Sequence, residues 1–142
     1  MGEQYVLDAS VLVKMLNQER EQDADKALGL MDRGVAGTLN LCTSDFATHE
    51  IINALLKGKN ITGELLRQTI EHWFILPIER VDTDVTLASR AADIAQRQNI
   101  TFYDAIYCAI AFERGIPLIT ANPKHQRPMP GVIAISLAQW NY

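Results

Sequence analysis

The stretch Tyr5-Val6-Leu7-Asp8-Ala9-Ser10-Val11-Leu12-Val13-Lys14 passes from strand to helix at a single acidic residue. Tyr5, Val6 and Leu7 form an apolar run that Asp8 closes, so residues 4–8 read as a strand and residues 10–17 as a short helix directly after it. From here outward the elements alternate. Residues 23–33 read as a helix, with Ala24, Ala27, Leu28 and Met31 at spacings of three and four and with Gly34 and Gly37 at its end. Residues 38–43 read as a second strand. Ser44 and Asp45 then cap a helix running to about Lys57, and Gly58 and Asn60 break the chain. Thr62 caps the next helix, which carries Leu65, Leu66, Thr69, Ile70, Trp73 and Phe74. Residues 75–78 read as a short strand. Asp82 and Thr83 open a long helix with Leu87, Ala88, Ala91, Ile94 and Ala95 on its inner face. The most apolar helix spans residues 102–114 and ends before Gly115, the residue type expected there. Residues 117–120 and 132–135 are the last strands, and the proline-rich stretch between them, residues 122–131, reads as a loop.

Strands and helices that alternate with connections of this length imply a parallel sheet covered on both faces. The right-handed crossover rule places the functional crevice at the carboxyl ends of the strands. Asp8 and Asn122 belong there, because each follows a strand. Glu50 lies on a helix and Asp104 starts another. Carboxylates that converge on such a crevice form a hard-oxygen site suited to Mg²⁺ or Mn²⁺, and such a site suits phosphodiester hydrolysis.

The composition agrees with one domain. A chain of 142 residues buries roughly 68–70% of its unfolded surface and needs neither disulfides nor a structural metal. No apolar run approaches the ~18–20 residues of a membrane span, and no signal peptide is visible, so a cytoplasmic protein with no membrane partner is expected. The formal net charge of −4 counts against an extended basic nucleic-acid surface. It leaves room for an enzyme that touches few phosphates. Cys42 and Cys108, each inside an apolar segment and without a CxxC pattern, read as buried small hydrophobes. The chain has neither a GxxxxGK[ST] phosphate loop nor a GxGxxG dinucleotide turn.

Four segments, in order, resemble the motifs of PIN-domain nucleases, particularly the VapC toxins of bacterial toxin–antitoxin pairs. They are Val6 to Lys14, His49-Glu50-Ile51-Ile52-Asn53-Ala54-Leu55, Tyr103-Asp104-Ala105-Ile106-Tyr107-Cys108-Ala109-Ile110-Ala111, and Leu118-Ile119-Thr120-Ala121-Asn122-Pro123-Lys124-His125. The resemblance covers the whole chain. It implies a PIN-like three-layer α/β/α domain with a central, mostly parallel five-stranded sheet. It also implies a Mg²⁺- or Mn²⁺-dependent endoribonuclease acting on structured RNA, paired as a homodimer and silenced by a cognate antitoxin. On that reading Asp8, Glu50 and Asp104 are the catalytic, metal-binding carboxylates, and Asn122 is a weak fourth ligand. Ser10 and Thr120 supply hydroxyls that orient Asp8 or a metal-bound water, while Asn53, three residues after Glu50, holds that carboxylate. Lys14, Lys124, His125 and Arg127 are candidate RNA-phosphate contacts at the rim.

Family members often carry aspartate where this chain has Asn122, and an amide oxygen ligates without adding charge. One firm metal site and a second that fills only with the substrate phosphate are therefore expected. Plainer roles remain open for several residues. Thr101-x-x-Asp104 is a capping-box pattern, Asp45 reads as a cap for its own helix, and Asn122 suits a turn before Pro123. Lys14, Lys124, His125 and Arg127 also suit a plain solvated surface. His49 and His72 read as locally hydrogen-bonded, and Trp73, Phe74, Tyr103 and Tyr107 as core or dimer contacts rather than base-stacking platforms. A non-toxin RNA-processing nuclease, or a silent PIN domain that binds RNA or a protein partner, are the competing functions.

Overall fold

In a computed structural model, which describes residues 2–126 and 128–141, five strands form one wholly parallel sheet in the order β3-β2-β1-β4-β5. The strands are β1 (Glu3–Leu7), β2 (Leu39–Ser44), β3 (Ile78–Val81), β4 (Leu118–Thr120) and β5 (Ala134–Ser136). The helices are α1 (Ala9–Leu16), α2 (Ala24–Ala36), α3 (Ala47–Asn53), α4 (Gly63–Ile75), α5 (Val85–Gln98) and α6 (Phe102–Arg114). From β1 the chain steps outward to β2 and β3, then jumps back past β1 to β4. Right-handed crossovers in opposite directions put α1–α4 on one face and α5–α6 on the other. The order reverses between β1 and β4, which is where open α/β sheets hold their ligands.

The central strands read as they do because both faces are covered. Val6, Leu7, Leu118 and Ile119 are wholly buried, and Val6 pairs with Leu118 and Leu7 with Ile119. On the face of α6, Ala105, Ile106, Tyr107, Cys108, Ala109, Ile110 and Ala111 are all buried; the small residues among them let the helix lie close to β1, β2 and β4. Gly115 takes the left-handed conformation (φ 63°) that ends α6, where a side chain would be strained. Among the described residues no helix is long and apolar enough to cross a membrane.

Several expected boundaries shift. The third strand begins at Ile78 rather than at residue 75, because α4 continues through Phe74 and Ile75, both solvent-exposed. Pro77 sets the limit: the residue before a proline is pushed out of the helical region, and Leu76 adopts φ −63°, ψ 136°. The last strand begins at Ala134 rather than at Val132, which instead bridges to Met129. The helix after β2 ends regular α-geometry at Asn53 and continues as a π-helical turn, Ala54–Gly58. Thr62 stands at the start of α4 but accepts no capping bond there. Asp84, not Asp82 or Thr83, caps α5 by accepting from the Leu87 N–H at 2.8 Å. Asp45 does not cap its own helix either. Ser44 Oγ accepts from the Phe46 N–H, while Asp45 ties down the chain before α5 by accepting from Thr83 N–H (3.1 Å) and Oγ1 (2.7 Å).

Candidate active site

Asp8 is the first residue past β1 and the N-cap of α1. Its Oδ1 accepts from the backbone N–H groups of Ser10 (3.1 Å) and Val11 (3.4 Å) and from the Ser10 hydroxyl. Its Oδ2 accepts from Thr120 Oγ1 at 2.6 Å. The two hydroxyls pass the connection on. Ser10 Oγ accepts from the Ala121 N–H (3.0 Å), and Thr120 Oγ1 from the Asn122 N–H (2.9 Å). Asp8 is thus clamped between β1 and the end of β4, 112 residues away in the chain. A carboxylate offers about four lone-pair sites, so Oδ2, with a single donor, keeps capacity for a cation. Burial raises the pKa of Asp8 above the usual carboxylate value, and the hydrogen bonds from Ser10 and Thr120 work against that rise.

Glu50 and Asp104 reach the same place from opposite faces of the sheet. Glu50, on α3, accepts a 2.5 Å hydrogen bond at Oε1 from the hydroxyl of Tyr107. Its pKa is raised, first by burial and further by the charges of Asp8 and Asp104, while the Tyr107 bond lowers it. Asp104 sits in the first turn of α6, where Thr101 Oγ1 accepts from its N–H at 3.1 Å. The reverse half of the capping box is not made; the Asp104 carboxylate instead faces His125, with Oδ2 3.4 Å from Nδ1. Gln126, almost wholly buried, donates to the Asp104 carbonyl at 2.9 Å and accepts from the Cys108 thiol, which fixes the loop after β4 against α6.

Asp8, Ser10, Glu50, Asp104, Tyr107, Asn122, His125 and Gln126, with Ala9, line one cavity of about 90 Å³. The four sequence-predicted ligands therefore converge. The donor set is oxygen-rich and anionic, which suits Mg²⁺ or Mn²⁺ over a softer metal. Among the described residues no three Asp, Glu, His or Cys side chains are close enough to form a ready-made cluster. The arrangement fits an ion held through one or two carboxylates with water completing its shell, the usual habit of Mg²⁺.

Not every expected contact is here. Asn53 is exposed at the end of α3 and makes no hydrogen bond to Glu50; Tyr107 holds that carboxylate instead. Lys14 is tied into the α1–α2 connection by Glu21 (3.4 Å) and the Gln22 carbonyl (2.9 Å), so it is not a free rim cation. Lys124 is exposed in the loop after β4, and Arg127 lies outside the described residues. Tyr107, expected as a core or dimer contact, is buried in the core and also holds Glu50, a role not assigned from the sequence, and Gln126 carried no expectation. For Tyr107 a signal existed: it follows Asp104 by three residues, and side chains at that spacing share a helix face.

A family model for the PIN domain matches residues 5–128. The chain belongs to the PIN domain family. Over 133 residues this PIN domain is 26% identical to "Ribonuclease VapC3" of Pyrobaculum aerophilum, covering 90% of the present chain and 96% of the relative. Its fold is similar to VapBC2 from Rickettsia felis, crystallised on a fragment of promoter DNA (TM-score 0.70, 16% identity, 94% and 98% of the two chains). It is also similar to a toxin–antitoxin complex from Klebsiella pneumoniae (TM-score 0.64, 19% identity, 91% and 95%). The PIN fold anticipated from the four motifs is the fold observed, with its five strands wholly rather than mostly parallel.

Proposed function

We propose that this PIN domain is a Mg²⁺- or Mn²⁺-dependent endoribonuclease and the toxin of a toxin–antitoxin pair. The observation that carries the reading is the convergence of Asp8, Glu50, Asp104 and Asn122 on one cavity at the β1/β4 switch point. Relatedness to a ribonuclease along nearly the whole chain supports it, as does likeness in fold to a toxin–antitoxin complex. A bound divalent ion would polarise the scissile phosphate and lower the pKa of water at the site. The rest is the work of this chain's residues. Asp8, immobilised by Ser10 and Thr120, is the fixed anchor, and Asp104 supplies the next oxygen. Glu50, gripped at Oε1 by Tyr107, keeps Oε2 to orient the attacking water and take its proton. His125 and Lys124 meet the phosphates at the mouth. Because Asn122 adds no charge, the carboxylates would hold one ion firmly and a second only together with the substrate phosphate. Action in the cytoplasm, a homodimer and an antitoxin partner complete the reading.

The test is 5′-end mapping of total RNA from cells expressing the wild type or Asp104→Asn. Discrete new ends with growth arrest, for the wild type only, are expected. Identical ends from two soluble proteins would overturn the ribonuclease reading.

A further inference from the structure

Next in sequence to the carboxylates, outside their cavity, aromatic rings lie in one cluster. Phe46 and Tyr103 have centroids 4.8 Å apart and planes 14° from parallel. His49 lies on Phe46 at 5.7 Å and 16°, and Phe102 meets Tyr103 edge-on at 6.5 Å. His49 and Tyr103 each stand one residue before a carboxylate, Glu50 and Asp104. Consecutive Cα atoms are about 3.8 Å apart, and neighbouring helix residues point roughly 100° apart around the axis. None of the four rings lines the cavity, although two of them adjoin its carboxylates in sequence. Core packing does not account for the cluster, since Tyr103 is 56% and Phe102 40% exposed. The Tyr103 hydroxyl makes no hydrogen bond among the described residues.

We propose that the Tyr103 ring, backed by Phe46, is a stacking platform for a nucleobase flanking the scissile phosphate, so that Tyr103 is a substrate-positioning residue. The inference rests on the ribonuclease reading above. Two features select a base as the occupant. The surface is flat and aromatic, built of near-parallel rings, and bases stack on such rings whatever their identity. It also lies next to carboxylates that repel a second phosphate yet tolerate a neutral ring system. Proximity supplies the third element: a nucleotide whose phosphate reaches Asp104 carries its base within reach of the adjoining side chain. Only an unpaired base can offer its face in this way, so the bond cut lies in a loop or single strand.

The test uses an oligoribonucleotide spanning the mapped cut and compares wild type, Tyr103→Phe and Tyr103→Leu in steady-state cleavage. The expected result is a KM near wild type for Tyr103→Phe and raised about fivefold to a hundredfold for Tyr103→Leu, with kcat little changed. Replacing the flanking nucleotides by abasic ones should erase the difference between the variants. An equal KM for Tyr103→Leu and wild type overturns the platform alone. So does a difference that persists on abasic RNA, or one that tracks a change from dimer to monomer in sedimentation, because the ring then serves the fold or a second copy. Absence of cleavage by the wild type overturns the ribonuclease reading and the platform with it.

Discussion

Replacing Asp8 by asparagine should inactivate the enzyme and yet stabilise the metal-free protein. The amide keeps the acceptor that serves Ser10 and Val11 and puts an NH₂ where Oδ2 met Thr120. Thr120 then loses the partner for its hydroxyl proton, at a cost of about 1 kcal/mol. Against this, a buried negative charge is removed and its repulsion on Glu50 ends. Each unit by which a folded-state carboxyl pKa is raised corresponds to about 1.4 kcal/mol of destabilisation of the ionised form. For a carboxylate this deeply buried the removed charge outweighs the lost bond, so the variant melts higher, by ~3 °C for each kcal/mol of net gain in a domain of this size. The sign fixes the pH dependence. Because the folded pKa of Asp8 lies above the unfolded value of about 3.9, the variant holds no advantage below that pH, where only its lost Thr120 bond separates the two. The gap opens as pH rises from there to the raised folded pKa, and is constant beyond. Thermal melts by circular dichroism in EDTA between pH 3 and 8 measure it. Added Mn²⁺ should then close the gap, because a ligand at a hundredfold its Kd stabilises the wild type by about 2.7 kcal/mol and the variant by less. A metal-free variant melting below wild type at neutral pH, or a gap independent of pH, would refute the reasoning.

Tyr107→Phe removes the hydroxyl that holds Glu50. It should lower kcat, move the acidic limb of the pH–rate profile upward because a pKa-lowering bond is lost, and cost about 1.5 kcal/mol at neutral pH in a denaturant titration. Asn122→Asp adds a fourth carboxylate to the cavity; the Mn²⁺ concentration for half-maximal cleavage should fall severalfold, and an unchanged titration would remove Asn122 from the metal's surroundings. Burial pushes the Cys42 thiol to about 11 and the Cys108 thiol to about 12. A disulfide reagent at pH 8 should therefore modify neither in the native protein and both once it is unfolded.

What could be read without coordinates was what local chemistry dictates. The run into Asp8, the glycine after α6 and the alternation of strands and helices are each set by neighbours in sequence, so the crevice at the strands' carboxyl ends and its carboxylates were legible, whereas the order β3-β2-β1-β4-β5 was not. The third strand was misplaced because Phe74 and Ile75 are apolar yet exposed; Pro77 was the better guide. Tyr107 was hidden inside the most apolar helix, where an aromatic residue is usually core. Its hydroxyl finds Glu50 57 residues away, a pairing made by helix packing across the sheet. Asn53 failed for the opposite reason: spacing of three from Glu50 put it near the carboxylate in sequence, but it faces solvent where α3 yields to the π-turn. Lys14 was read from charge alone, and Glu21 had already claimed it.

The central place of β1 has a consequence for the order of events during synthesis. The first strand made lies between β2 and β4, so one of its edges stays open until residues 118–120 exist. Asp8 waits for Thr120, and the loop that pins Asp104 follows later still. A nascent or prematurely released chain ending before β4 carries all three carboxylates but lacks the Thr120 hydroxyl that grips the second oxygen of Asp8. The full set of contacts around Asp8 and Asp104 is complete only once the last fifth of the chain has arrived.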